Sequence, residues 1–380
     1  MPRLTDEQAL READRCVKCG LCLAHCPTYR LQANENESPR GRIALAEALL
    51  RGQLGNEPQL LDHLYRCLLC RRCERTCPSG VRYAALMDAA RAHAPRPHWT
   101  TRLARQAQAG DLLGRLAQRV PLPGSTLSAL ARALPPGAAP APGRYPASGA
   151  PHGEVGLFLG CVSRQYQGRA LQAALRVLTR LGYRVLVPAG QACCGALAQH
   201  QGDSDTAARQ IEANHEAFRG KGTVLGIASG CSAQLGESLG GRLPVADIVS
   251  FVRRALDAQA PALRPLPARA ALHLPCSAEN TLRNGDDHRA LLRAIPGLQV
   301  RPLGGAGDCC GAAGDQLLTQ RAQAEALRRP LLEQLREQAP DYLLSSNIGC
   351  ALHLAEGAKK AGVQLEVLHP VELLARQLPD

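Results

Sequence analysis

A helical, cysteine-rich module followed by two copies of an α/β unit, an α+β plus α/β architecture, is the fold class that this 380-residue sequence predicts. Three observations predict it. A Cys-x2-Cys-x2-Cys-x3-Cys-Pro run occurs twice near the N-terminus, at Cys16 and at Cys67. A Pro/Ala/Gly-rich tract without cysteine follows. Beyond it, one pattern of strand, cysteine, helix, strand, Cys-Cys-Gly, helix, strand and cysteine is written twice. The length suffices for two to three domains with real cores.

Residues 1–95 form the first module. Thr5 with Gln8 makes a capping box, which predicts a helix delivering the chain into Cys16. Ser38 and Pro39 read as an N-cap with proline in the first turn, and Ile43, Ala46, Leu49 and Leu50 then recur at helical spacing until Gly52. A shorter helix from Pro58 to Tyr65 leads into Cys67. Residues 96–152 read as a weakly amphipathic helical stretch and then, from Pro135 to His152, a semi-rigid linker too poor in apolar residues to build a core.

Residues 153–258 and 268–380 are the repeats. The first runs GLFLGC to Cys161, VLVP, Cys193-Cys194-Gly195 and VLGIASGC to Cys231. The second runs ALHLPC to Cys276, VRPL, Cys309-Cys310-Gly311 and YLLSSNIGC to Cys350. The intervals nearly match, 31 against 32 residues before the cysteine pair and 36 against 39 after it. Each repeat closes on a related segment, PVADIVSFV from Pro244 and PVELLARQL from Pro370, where Asp247 and Glu372 read as matching helix-start residues. Short β-branched runs alternating with helical patterns predict parallel strands, and the single cysteines, each following a strand, should gather at the carboxyl edges.

Sixteen cysteines behind an N-terminus with no apolar leader predict reduced thiols, metal ligands or catalytic groups rather than structural disulfides. Three cysteines on one short loop can cap three irons of a cubane, while the fourth, set apart by the longer gap and the proline, reaches a neighbouring cluster. Eight cysteines thus predict two [4Fe–4S] clusters in a ferredoxin-type domain, one on Cys16, Cys19, Cys22 and Cys77, the other on Cys67, Cys70, Cys73 and Cys26. Zinc held by Cys-x2-Cys pairs is the alternative, but it requires neither the third cysteine nor the proline. Arg66, Arg71, Arg72 and Arg75 crowd the second motif, either raising a cluster's potential or forming a solvated loop. The glycine of each Cys-Cys-Gly triplet permits close backbone approach to a ligand. Each repeat can gather four thiols, Cys161, Cys193, Cys194 and Cys231, then Cys276, Cys309, Cys310 and Cys350. A further iron–sulfur or other metal site, redox thiols and buried structural cysteine are the readings open there. His273, His353 and His369 read as structural.

Other functions are excluded on composition. No run approaches the ~18 apolar residues of a membrane span. The net charge of +12 comes almost entirely from scattered arginine, without a dense basic block, and seven Tyr, three Phe and one Trp are too few to stack bases. Nucleic acid is therefore not the expected partner; an arginine-rich bias, an acidic partner or an anionic membrane surface accounts for the charge. No phosphate loop, no G-x-G-x-x-G and no acid–base pair stands out, so the chain is expected to bind neither flavin nor nicotinamide and to hold no catalytic residue. It is expected to carry electrons for chemistry done elsewhere.

CVKCGLCLAHCPTY from Cys16, SPRGRI from Ser38, RCLLCRRCERTCPSGVRY from Arg66, ASGCSA from Ala228, CCGAAGDQLLTQ from Cys309 and SNIGCALHL from Ser346 carry a resemblance. Over nearly its whole length the chain resembles the glycolate oxidase iron–sulfur subunits, within the broader family of cysteine-rich (CCG) domain proteins that includes heterodisulfide reductase subunits. The resemblance implies an electron-transfer subunit of a glycolate dehydrogenase, in a hetero-oligomer with FAD-containing subunits that oxidise glycolate, or D-lactate, and passing electrons to a quinone or another acceptor. It implies a cytoplasmic protein, with peripheral attachment to the inner membrane face through the complex. The same role for a lactate or glycerol 3-phosphate dehydrogenase, and heterodisulfide-reductase-like thiol chemistry, are the alternatives. In the broader family the last cysteine of each repeat opens a Cys-x2-Cys; here Gln234 and His353 take the second place, which counts against disulfide reduction.

Overall fold

The structure, a computed structural model, describes residues 4–96, 129–130, 132–305 and 308–379. The N-terminal module is helical, with α1 (Asp6–Asp14), α2 (Pro27–Gln32), α3 (Pro39–Leu50), α4 (Pro58–Arg66), α5 (Arg72–Thr76) and α6 (Tyr83–His93). The capping box forms: the Gln8 amide donates to Thr5 Oγ1 at 3.2 Å, and the Thr5 amide to Gln8 Oε1 at 3.0 Å. Ser38 caps α3 by accepting from the Gly41 amide at 2.9 Å. A Cβ on Gly41 would stand 2.0 Å from the Glu35 carbonyl oxygen, so glycine is what lets the tight turn Glu35–Glu37 lie on the start of α3. Helices α1, α3 and α6 bury Ala9, Ala46, Leu86 and Met87 between them.

Two sheets follow. The first has strand order β1-β3-β2-β4-β5, from β1 (Gly143–Tyr145), β2 (Gly153–Phe158), β3 (Tyr183–Val187), β4 (Thr223–Gly226) and β5 (Val245–Asp247). The second has order β7-β6-β8-β9, from β6 (Arg269–His273), β7 (Gln299–Pro302), β8 (Tyr342–Ser345) and β9 (Glu366–Leu368). All neighbours run parallel except β1, antiparallel to β3. Helical crossovers permit this, and they leave the strand ends that precede each cysteine on one edge.

Two expectations change. The Pro/Ala/Gly-rich tract does more than link, because its Gly143–Tyr145 supplies an edge strand that pairs Gly143 with Val187 and Tyr145 with Val185. An edge strand bonds on one side only, so flanking prolines are tolerated. The two closing segments also differ in register. Pro244 precedes strand β5, and Asp247 then caps the helix Ile248–Gln259; Pro370 opens its helix directly, capped by His369 with Glu372 completing the box. The helical stretch expected after residue 96 falls mostly on 97–128, outside the described residues. One apolar core joins the repeats: Leu171 and Leu178 of helix Gly168–Arg180, with Val252, belong to the same cluster as Leu292, Leu373 and Leu374.

Candidate metal centres

The two N-terminal motifs share a backbone path. The residues flanking the second cysteine of each are left-handed: Lys18 (φ 54°) and Gly20 (φ 83°) in one loop, Leu69 (φ 48°) and Arg71 (φ 61°) in the other. Each loop thereby curls around a cleft. The first cleft is walled by Cys16, Cys19, Cys22 and Cys77, the second by Cys26, Cys67 and Cys70, and Cys73 stands on the wall of both. The structure thus places Cys26 with the second motif and Cys77 with the first. Burial and the neighbouring Cys16, Cys26 and Cys19 push the Cys22 thiol up to about 11. A bare thiol there stays protonated at neutral pH, and a bound metal is what ionises such groups. The donor chemistry and convergence of the eight cysteines fit iron–sulfur clusters.

The surroundings of the two clefts differ. Cys19 is exposed, and Val17 and Leu21 beside it are 68% and 57% exposed, the most open large apolar side chains among the described residues. Around the second cleft the charges are buried. Arg42, fully buried, pairs with Glu37 and donates to Thr28 Oγ1 at 2.8 Å and to the His63 carbonyl at 2.7 Å. Burial works against its charge, but Cys67, Tyr83 and Glu37 beside it raise its pKa overall, so the cation persists. Thr28 Oγ1 lies 3.3 Å from Cys26 Sγ, and the Tyr83 hydroxyl 3.5 Å from Cys67 Sγ. Sequence reasoning missed Arg42, whose place within SPRGRI carried no cysteine to mark it.

Three of the four arginines of the second motif are partly buried in the fold, while Arg75 is exposed. Arg71, strained by roughly 1 kcal/mol in its left-handed conformation, is held by Glu74 at 2.7 Å and by Glu237 of the first repeat. Arg72 donates to the Asp308 carbonyl at 2.6 Å and Arg75 to the Glu279 carbonyl at 3.5 Å, while Arg66 stands 3.9 Å from Glu37. Asn280, on a π-helical turn (Ser277–Leu282) just after Cys276, donates to the Cys70 carbonyl at 2.8 Å. The second cleft therefore abuts the second repeat.

Each repeat gathers its four cysteines at the carboxyl edge. In the first, Cys161 Sγ lies 3.4 Å from Cys193 Sγ, and the Cys194 thiol lies in hydrogen-bonding contact with those of Cys193 and Cys231, with no disulfide between them. In the second, Cys310 Sγ lies 2.9 Å from Cys350 Sγ, the Gly311 amide donates to Cys309 Sγ at 3.4 Å, and burial with Cys309 alongside pushes Cys276 up to about 12. Gly195 (φ 89°) and Gly311 (φ 79°) are both left-handed, and a Cβ on Gly311 would meet the Ala324 carbonyl oxygen at 2.3 Å. Gln234 and His353 turn to structural partners: Gln234 donates to Gln199 Oε1 at 2.8 Å, and His353 contacts Arg328 and the Ala324 carbonyl. His369 caps a helix, and the buried His273, its Nδ1 3.2 Å from Ser345 Oγ, has a ring nitrogen within 4.8 Å of the Cys310 and Cys350 sulfurs.

Comparison with known proteins finds two families in the chain. Residues 12–81 match the 4Fe-4S dicluster domain family, and residues 155–236 and 270–355 match the cysteine-rich domain family. The chain is 32% identical to the glycolate oxidase iron-sulfur subunit of Escherichia coli (strain K12), over 96% of this chain and 93% of that one. It is 27% identical to the probable glycolate oxidase iron-sulfur subunit of Bacillus subtilis (strain 168), over 94% and 92%. It is also 26% identical to a fumarate reductase (CoM/CoB) subunit of Methanothermobacter marburgensis, over 99% of this chain and 74% of the relative.

Proposed function

Because the chain belongs to the family of glycolate oxidase iron–sulfur subunits, we propose that it is the electron-transfer subunit of a glycolate-oxidising complex. Flavoprotein subunits oxidise glycolate, and this chain carries the electrons away to a quinone or another acceptor. The observation that carries the reading is the pair of adjacent clefts, each provided with four cysteines when the shared Cys73 is assigned to the second. Cys16, Cys19, Cys22 and Cys77 would hold one [4Fe–4S] cluster, and Cys26, Cys67, Cys70 and Cys73 the other. Such clusters supply one-electron chemistry between a two-electron donor and its acceptor.

The residues around the clefts divide the labour. Val17 and Leu21, apolar and open to solvent beside the exposed Cys19, suit a face on which a flavoprotein seats and excludes water. Arg42 and Arg72 place positive charge beside the inner cleft, which favours the reduced state of whatever the thiolates hold. The repeats bring two further sets of four cysteines to the carboxyl edges of their sheets. Among the described residues no helix is long and apolar enough to cross a membrane.

The test is optical and anaerobic. With the chain co-purified with its flavoprotein partners, glycolate should bleach the iron–sulfur absorbance, and Cys70→Ser should abolish most of the bleaching. Bleaching by lactate or glycerol 3-phosphate and not by glycolate would overturn the substrate assignment while keeping the carrier role. The crossed ligand sets have their own test by EPR: Cys77→Ser should damage the centre built on Cys16, Cys19 and Cys22, and Cys26→Ser the other. Damage confined to a variant's own motif would refute the crossing.

A further inference from the structure

The two repeats do not offer the same donors. Three residues before the cysteine that follows its central strand, the first has Phe158 and the second has His273. Phe158 is 1% exposed and packs with Cys193 and Cys194 in an apolar cluster. His273 ends β6 in register with Ser345 at the end of β8, and its Nδ1 lies 3.2 Å from Ser345 Oγ. A hydroxyl on one ring nitrogen fixes the imidazole and leaves Nε2 to ligate. Donor atoms of His273, Cys310 and Cys350, all buried, lie within 4.8 Å of one another. Cys276 and Cys309 stand near enough to act on the charge of Cys350.

We propose that the second repeat is a metal site in its own right, an iron centre ligated by His273 with cysteines of the set Cys276, Cys309, Cys310 and Cys350, and that the first repeat, with Phe158, builds no such site. A buried imidazole–thiolate set suits zinc or iron–sulfur chemistry. Position favours iron: Asn280, four residues past Cys276, bonds the Cys70 carbonyl, and Arg72 bonds the Asp308 carbonyl beside Cys309. The site therefore shares a wall with the inner N-terminal cleft. A buried set of thiolates needs a compensating cation, and Arg72 brings one from the other module. An imidazole in place of a thiolate removes one negative charge and raises a centre's potential. The inference deepens the carrier reading and rests on it for the choice of iron over zinc.

The experiment reads the metal directly, without donor or partner, so its failure leaves the glycolate reading standing. The full chain, purified anaerobically, is assayed for iron and zinc and examined by pulsed EPR for strongly coupled nitrogen. His273→Phe, which copies the first repeat, should lower iron per chain and abolish the nitrogen coupling, with the signals that depend on Cys16 and Cys67 unchanged. His273→Cys should restore the iron without the coupling. Cys161→Ser should change neither. Unchanged iron in a folded His273→Phe chain, nitrogen coupling that persists in either variant, or stoichiometric zinc would overturn the proposal.

Discussion

Arg42 is a charge in a place that ordinarily rejects one. Its guanidinium and Glu37 are both sealed from solvent, and the same group bonds Thr28, which touches Cys26. Replacing one partner of such a pair strands the other, at a cost of about 3–5 kcal/mol. Arg42→Met should therefore lower the urea midpoint strongly, although His63, 2.7 Å from Glu37, softens the loss, and Arg42→Met with Glu37→Gln should recover part of it. His369 makes a second prediction. Its Nδ1 accepts from the Val371 amide at 3.1 Å and its Nε2 donates to the Ile227 carbonyl at 2.8 Å, so the neutral ring is the one that fits. Burial takes its pKa down to about 3 from the usual ~6.5. The unfolded chain then binds a proton that the folded chain refuses, and stability falls as pH drops below about 6.5, by about 2 kcal/mol at pH 5. Comparing urea midpoints at pH 7 and pH 5 checks this: the drop should shrink by about that amount in His369→Asn. At this scale the cysteines were legible because their spacing is their signature. Arg42 and His273 were not, since each acts through tertiary neighbours. The one clue to His273 lay in the repeat itself, where Phe158 stands in its place.

The glycine of SPRGRI shows how an element is set by what lies against it. Gly41→Ala would press a methyl group into the Glu35 carbonyl and push the Glu35–Glu37 turn off α3. Since that turn presents the Glu37 carbonyl to Arg42 and Thr28, the expected loss is on the order of 2–3 kcal/mol, read by thermal unfolding, with the absorbance of the inner cleft affected before the outer. Caps and crossovers could be read ahead because their signals are local: Thr5 with Gln8, Ser38 with Pro39, a cysteine after each of β2, β4, β6 and β8. Strand β1 could not. A tripeptide between prolines says nothing of the sheet it will border, and only the open edge of β3 makes Gly143–Tyr145 a strand.

Across the whole molecule, the N-terminal module is fastened to the repeats by side chains reaching for backbone. Gln316 Nε2 bonds the Tyr65 and Cys67 carbonyls at 3.0 and 2.9 Å, and Gln323 Nε2 bonds the Arg66 carbonyl at 3.0 Å. Arg91 of α6 reaches the His200 carbonyl of the first repeat at 2.9 Å. Gln316→Leu leaves two carbonyls without that donor, at a cost of about 2 kcal/mol. It should shift the midpoint potential of the inner centre in an EPR redox titration while the outer centre stays where it was. An equal shift of both would show that the contact does not act locally. None of this interface could be read from the sequence, since its partners lie more than a hundred positions apart, and Gln316, though inside CCGAAGDQLLTQ, carries no mark of the carbonyls it reaches.

The exchange of Cys26 and Cys77 between the clefts also orders events at the ribosome. The first four cysteines emerge early, yet one of them, Cys26, belongs to a pocket whose other cysteines have not been translated. Neither pocket has its donors until the nascent chain has grown past Cys73, and the outer one waits for Cys77. With the ligand sets proposed above, a truncated product ending between the motifs would lack donors for both centres.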